Sequence, residues 1–329
     1  MSGRNVGGLL PVALGVAVVL SLTVGAESIA PGTVWDAVVH GSTSPDALIV
    51  RDLRVPRTVL GVVTGAALGL AGALMQTLTR NPLADPGLLG VNAGAAAAVV
   101  IGISALGVTT PSGYVWLALL GAGVASAAVY ALGSRGRANA TAVRMTLAGA
   151  AITAVLTAVI YGVTLVDQTA FDSYRIWSVG TLAGRPLDVL SVIGPLLLAG
   201  MVLGLALARP LDALALGEDG GSALGANLAR TRLLGALATT VLCGASTAAI
   251  GPIGFLGLAV PHLARALAGP HHRRLLPYSM LLAPTVLLTA DVLGRIVARP
   301  GELQVGLVTA FLGAPILIAL ARRRRLVTL

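Results

Sequence analysis

The chain contains no lysine, and all 22 of its basic residues are arginine. That absence excludes a Walker A phosphate loop, whose lysine reaches the β- and γ-phosphates of a nucleotide. It also excludes a lysine Schiff base. If ATP drives this protein, another chain binds it. The single cysteine, Cys243, lies in an apolar run. It leaves no intrachain disulfide framework and reads as a small buried hydrophobe. Charge is scarce, at 11% of residues, where a soluble domain carries about 25%. Aromatic residues, at 3%, leave only a thin interfacial belt. There is no HExxH, no metal-spaced cluster and no carboxylate pair on one helix face, so nothing reads as an enzyme site. Carboxylates inside apolar runs are nearly missing too, with Asp291, near the end of one run, as the exception. A proton- or sodium-coupled carrier needs such groups at midplane, so that class is disfavoured.

What is present is apolar. Hydrophobic residues make up 56% of the 329, and the mean hydropathy is +0.91. Apolar runs of about 20 residues recur, each long enough to cross a ~30 Å hydrocarbon core. They are continuous, not alternating, which points to helices and away from a barrel. The expected fold is an all-α integral membrane protein forming one transmembrane domain over 1–329. Ten spans are predicted, at about 8–26, 58–78, 87–106, 114–133, 143–166, 187–208, 232–250, 253–269, 275–296 and 304–321. Residues 8–26 have the length of a signal peptide, but no small-residue cleavage site follows and only Arg4 precedes, so they are kept as the first span.

Ten spans put both termini on one side. With the termini placed in the cytoplasm, fifteen arginines lie inside: Arg4, Arg80, Arg135, Arg137, Arg144, Arg209, Arg230, Arg232, Arg265, Arg273, Arg274 and Arg322 to Arg325. Seven lie outside: Arg51, Arg54, Arg57, Arg175, Arg185, Arg295 and Arg299. The positive-inside rule supports this orientation. The net charge of +9 therefore reports topology; no soluble domain presents a basic face, and no nucleic-acid partner is expected.

The outer arginines have two readings. Arg51, Arg54 and Arg57 in RDLRVPR, and Arg295 four residues after Asp291, fit interfacial snorkelling or an Asp291–Arg295 helix pair. They equally fit a cationic docking surface for an acidic partner. In GVVTGAALGLAGAL, Gly61, Gly65, Gly69 and Gly72 make one small helix face that lets backbones approach in lipid.

A polar, glycine-rich stretch, LALGEDGGSALGANLAR (214–230), interrupts the apolar pattern on the cytoplasmic side. Leu211, Leu214 and Leu216 would anchor a short interfacial turn, broken at Gly217. Glu218 and Asp219 suit a new helix N-terminus. That second short helix would include Ala223, run to about Leu224 and end at Gly225. Such a projecting pair suits the groove of a cytoplasmic partner. In RNPLADPGLLGVNAG (80–94), Asn81-Pro82 and Asp85-Pro86 predict a rigid turn. His271 and His272 stand beside Arg273 and Arg274 and read as solvated surface. His262, beside Pro261, reads as a packing or kink residue.

Several long segments then match one family in order: RDLRVPRTVLG (51–61), GALMQTLTRNPLADPGLLGVNAGA (72–95), ALGEDGGSALG (215–225), GPIGFLGLAVPHLARALAGPHHRRLLP (251–277) and ADVLGRIVARPGELQVGLVTAFLGAPILIAL (290–320). The chain resembles permease subunits of type II ABC importers, which take up ferric siderophores, haem and vitamin B12. Within that family it is most similar to ferric-enterobactin-type (catecholate) permeases. The resemblance implies ten membrane helices and a second permease subunit, identical or different. It implies two ATP-binding subunits that hold ATP and Mg, so that this chain carries no cofactor, and an extracytoplasmic substrate-binding protein. The setting would be the inner (cytoplasmic) membrane.

The resemblance also assigns residues. Arg54, Arg57 and Arg295, with Arg51 as a looser candidate, would receive acidic groups of the binding protein. The segment 211–230, through Leu214, Leu216, Gly217, Glu218, Asp219, Ala223, Leu224 and Gly225, would couple to the ATPase. Asn81, Leu83, Ala142 and Val143 would form a cytoplasmic gate; Ala142 and Val143 depart from the small hydroxylated residues of some members. A short outer helix is expected at about 169–182. Haem or cobalamin as cargo, an ATP-independent carrier and a membrane enzyme are the alternatives.

Overall fold

Each predicted apolar run becomes a helix. The computed structural model describes residues 3–108, 110–134, 142–223 and 225–322. In chain order the helices are α1 (Gly3–Thr23), α2 (Pro31–Val39), α3 (Pro45–Leu48), α4 (Val55–Thr79), α5 (Val91–Leu106), α6 (Pro111–Gly133), α7 (Ala142–Val166) and α8 (Gln168–Trp177). They continue with α9 (Val189–Ala206), α10 (Ala208–Ala215), α11 (Gly217–Ala223), α12 (Leu228–Ile250), α13 (Leu256–Ala268), α14 (His272–Val297) and α15 (Val305–Arg322). A π-helical turn, Ile49–Arg54, joins α3 to α4, and a 3-10 turn, Pro86–Leu89, precedes α5. No strand occurs among the described residues.

The ten predicted spans correspond to α1, α4 to α7, α9 and α12 to α15. Six of these elements are long and apolar enough to cross a membrane, and α1, α5, α13 and α15 are shorter apolar helices. The eighth span shows why. Gly251 ends α12 at φ 78°, residues 251–254 are non-helical, and α13 starts after Phe255, held at φ 65°. With 13 residues α13 is about 20 Å long. The third span likewise begins later than predicted, because Asp85 and Pro86 open a 3-10 turn first.

Burial divides the bundle into a centre and a surround. In the span containing α4, 78% of the apolar window is buried, and in α12 72%; in α7 only 17% is. The centre is built on glycine. A Cβ at Gly65 would lie 2.6 Å from Pro284 Cα. One at Gly69 would strike the Ser279 carbonyl, and one at Gly72 the Gly257 carbonyl. The stripe read from sequence therefore presses α4 backbone-to-backbone against α14 and α13, which is how helices gain contact in lipid where apolar attraction between them is weak. Leu60, Leu70, Leu74, Leu242 and Leu287 fill the remaining space and are buried.

Candidate functional site

The α4–α14 pair carries its charged side chains near its two ends, with only hydroxyls such as Thr64, Ser279 and Thr285 between them, each bonded back to its own helix. At the end that the arginine distribution assigns to the outside, Arg57 enters from the first turn of α4 and Asp291 and Arg295 from the last turns of α14. Arg57 Nε donates to Asp291 Oδ2 at 2.9 Å, and its Nη2 donates to Asp291 Oδ1 at 2.8 Å. Its Nη1 donates to Glu302 Oε2 at 2.6 Å. Arg295 Nη2 donates to Asp291 Oδ2 at 2.7 Å and to Ser21 Oγ at 3.0 Å. Its Nη1 donates to the Ser21 and Val24 carbonyls at the end of α1. Asp291 is 0% and Arg295 2% exposed. A carboxylate at this depth survives because two guanidiniums and their forked geometry replace the water it lost.

Arg54 closes the π-helical turn. It donates to the Leu22 carbonyl at 2.9 Å and the Glu27 carbonyl at 2.6 Å. A π-turn at this point winds Arg51 and Arg54 onto different sides, a usual device at functional positions. Arg54 is buried. Arg51 is exposed, with Nε 3.6 Å from Asp52. A pocket of about 410 Å³ opens over this network, lined by Arg54, Arg57, Arg295, Glu302, Glu27 and Gly184 among others. The Asp291–Arg295 helix pair exists, and Arg54, Arg57 and Arg295 line the pocket while Arg51 does not.

At the opposite end, α10 and α11 form the short helical pair expected for 211–230. Leu211 and Leu214 are buried in the main core. Leu216, expected as a third anchor, instead stands 64% exposed, because Gly217 at φ 95° turns the chain there. Glu218 and Asp219 lie in α11, as does Ala223, which is exposed. Leu224 lies outside the described residues. Gly225, at φ 75°, donates to the Ser222 carbonyl and ends the segment.

His272 contradicts its solvated-surface reading. It is 3% exposed, and only its neighbour His271 is open to solvent. Its backbone N–H and its Nδ1 both meet Asp212 Oδ1 on α10, at 3.0 and 2.7 Å. Its Nε2 lies 2.7 Å from Thr77 Oγ1 in the last turn of α4. His262 behaves as read: its Nε2 is 2.7 Å from the Pro82 carbonyl, tying α13 to the 80–90 turn.

That turn is rigid. Arg80 ends α4 in a left-handed conformation, and Asn81 Oδ1 accepts from Leu83 N–H at 2.9 Å. Asn81 and Leu83 are exposed, as is Val143 near the start of α7; Ala142 begins that helix. Asp85 Oδ1 accepts from Gly87 N–H at 2.8 Å, yet burial pushes the Asp85 carboxyl above its usual range. The short helix expected on the outer side at about 169–182 spans Gln168–Trp177, starts on the Asp167 cap and ends earlier than expected. Gly180 at φ 72° turns the chain, and Thr181 N–H then bonds the Ile250 carbonyl at the end of α12.

Sequence reasoning missed Glu302, Ser21 and Asp212. Asp291 left a signal: a lone carboxylate in an apolar run demands a cation. Asp212 left none, since an acid in a polar segment needs no explanation.

Comparison with known proteins covers the whole arrangement. A profile of the FecCD transport family matches residues 13–323. The ferric enterobactin transport system permease protein FepD of Escherichia coli (strain K12) is 49% identical over 310 residues, covering 94% of this chain and 92% of that one. The hemin transport system permease protein HmuU of Yersinia pestis is 38% identical, covering 97% and 95%. Among solved structures, a metal-chelate type ABC transporter in an inward-facing conformation superposes with TM-score 0.85 at 26% identity, covering 97% of this chain and 99% of that one.

Proposed function

This chain belongs to the FecCD transport family and is a permease subunit of a siderophore ABC importer, and we propose from that premise that its cargo is a ferric catecholate. The observation that carries this reading is the 49% identity to a ferric enterobactin permease along 94% of the chain. The chain hydrolyses no ATP itself; two ATP-binding subunits hold ATP and Mg and supply that step. It pairs with a second permease subunit in the inner membrane, both termini cytoplasmic, and a substrate-binding protein docks from outside.

Arg51 meets that binding protein first, being exposed. Arg54, Arg57 and Arg295 stand behind it. An incoming carboxylate reaches Arg57 by displacing Glu302, whose side chain is 37% exposed and makes a single contact there. The α10–α11 pair, with Leu216 exposed at its bend, seats in the ATP-binding subunit. Asn81, Leu83, Ala142 and Val143 form the cytoplasmic gate. Differential affinity of the partners for two states of the bundle drives alternating access.

Uptake of labelled ferric catecholate, ferric hydroxamate, haem and cobalamin tests this, in cells lacking the chain and cells with it restored, with and without ATP depletion. ATP-dependent rescue of the catecholate alone is expected. Rescue of haem or cobalamin alone moves the cargo, and rescue that survives ATP depletion defeats the reading.

A further inference from the structure

We propose that Asp212, His272 and Thr77 form the mechanical link through which α10 and α11 move the α4–α14 pair. This rests on the reading above that α10 and α11 receive the motion of the ATP-binding subunit. It goes beyond that reading by naming the side chains that carry the motion into the membrane helices.

The geometry is specific. A single oxygen, Asp212 Oδ1, accepts from His272 twice, from the backbone N–H at 3.0 Å and from the ring Nδ1 at 2.7 Å. The backbone N–H is one of the donors that the start of an α-helix leaves unpaired. Asp212 thus caps α14 from another element, with its charge at the positive end of the helix dipole. The ring's far nitrogen lies 2.7 Å from Thr77 Oγ1, and Thr77 Oγ1 in turn lies 2.9 Å from the Ala73 carbonyl. A neutral ring accepts from the Thr77 hydroxyl; a charged ring donates to it while the hydroxyl turns to Ala73. In either state every donor has an acceptor, so the chain of bonds is closed.

The placement makes this a link and not merely a cap. Leu211 and Leu214, one residue before Asp212 and two after, are buried in the core. Helix α10 therefore cannot tilt without carrying Asp212. Asp212 grips the first residue of α14 and, through the ring, the last turn of α4. Those two helices touch backbone-to-backbone at Gly65 and Gly69. A displacement of α10 reaches both as one body. His272 lies 19 residues before Asp291, about 28 Å along α14, so the body spans the apolar slab from this link to the outer ion network.

The test uses the full-length chain with the importer's other subunits, in proteoliposomes, reading ferric enterobactin uptake and ATP hydrolysis together. Asp212→Ala and His272→Ala are each expected to lower uptake about tenfold, the equivalent of one lost charge-assisted hydrogen bond, while hydrolysis continues. ATP consumed per siderophore imported should therefore rise. The double variant should be no worse than either single one, since both remove the same contact. Asp212→Asn, which keeps the accepting oxygen, should recover most of the loss. Uptake and hydrolysis falling together, or additive losses in the double variant, overturn the link. Should the alanine variants fail to accumulate in the membrane, Asp212→Asn, His272→Gln and Thr77→Val decide the matter, and uptake at full coupling in His272→Gln and Thr77→Val overturns it. An unaltered chain that imports no siderophore with ATP defeats the functional reading instead.

Discussion

At one end of the α4–α14 pair, Arg57, Asp291 and Arg295 form an ion network whose acid is 0% exposed. At the other, Asp212, His272 and Thr77 form a hydrogen-bonded chain whose acid keeps 34% of its side chain in solvent. The same two helices supply members to both. The difference lies in what else each network holds. The outer network grips α1 through Ser21 and Val24 and the α14–α15 loop through Glu302. It joins elements of the bundle to one another, and at its heart the desolvated Asp291 is held by Arg57 and Arg295 together, a pairing that is costly to break. The inner chain joins the bundle to a short polar segment at its surface. Its acid stays wet, so parting it from His272 costs less. One end is built to stay together, and the other to be pushed.

The comparison breaks most visibly at Asp291. Asp291→Ala leaves the buried Arg295 without its counter-charge and Arg57 with Glu302 alone, and should cost about 3–5 kcal/mol of stability, read as a drop in the thermal midpoint of the purified protein in detergent. A drop no larger than that of Asp212→Ala would erase the distinction between the two ends. Gly69→Leu probes the contact that makes α4 and α14 one body. It drives a side chain into the Ser279 carbonyl and should cost about 2–3 kcal/mol by overpacking, with uptake lost beyond what the lower stability explains. Glu302→Gln sharpens the outer end. The amide oxygen still accepts from Arg57, so stability should fall by about 1 kcal/mol or less, while affinity for the substrate-binding protein, measured by titration against the purified importer, should rise as its carboxylate meets a weaker competitor.

Asp85 supplies the smallest effect and a control for the ion pairs. It is a partly buried acid held by a backbone N–H instead of a cation, and burial raises its carboxyl. A raised folded value means that ionisation costs stability as pH rises above the unfolded carboxylate value of about 4. Asp85→Asn should therefore stabilise at neutral pH, by about 0.5 kcal/mol given its partial exposure. The gain should vanish near pH 4, in a series of thermal midpoints against pH.

The ten apolar helices, the small face of α4 and the helical pair at 211–230 were legible because each depends on residues close in sequence. Hydropathy is a local sum, a glycine stripe repeats every turn, and Gly217 and Gly225 break helices wherever they stand. The outer arginines were legible as a group but not as partners. Nothing local says that Arg57 lies against a carboxylate 234 residues away, or that Arg54 spends its donors on carbonyls at and beyond the end of α1. His271 and His272 are adjacent in a polar context and look alike.

The sequence by itself determined an all-helical membrane chain without a Walker A loop, because length, apolarity and the missing lysine are properties of composition and order. The tertiary structure alone decided that Asp291 serves Arg57 as well as Arg295, and that of two neighbouring histidines only His272 turns inward. Those outcomes rest on where α4, α10 and α14 cross. That crossing is set by backbone contact at Gly65 and Gly69 and by the burial of Leu211 and Leu214, and such contacts between distant segments fix which charges lose their water and must find one another.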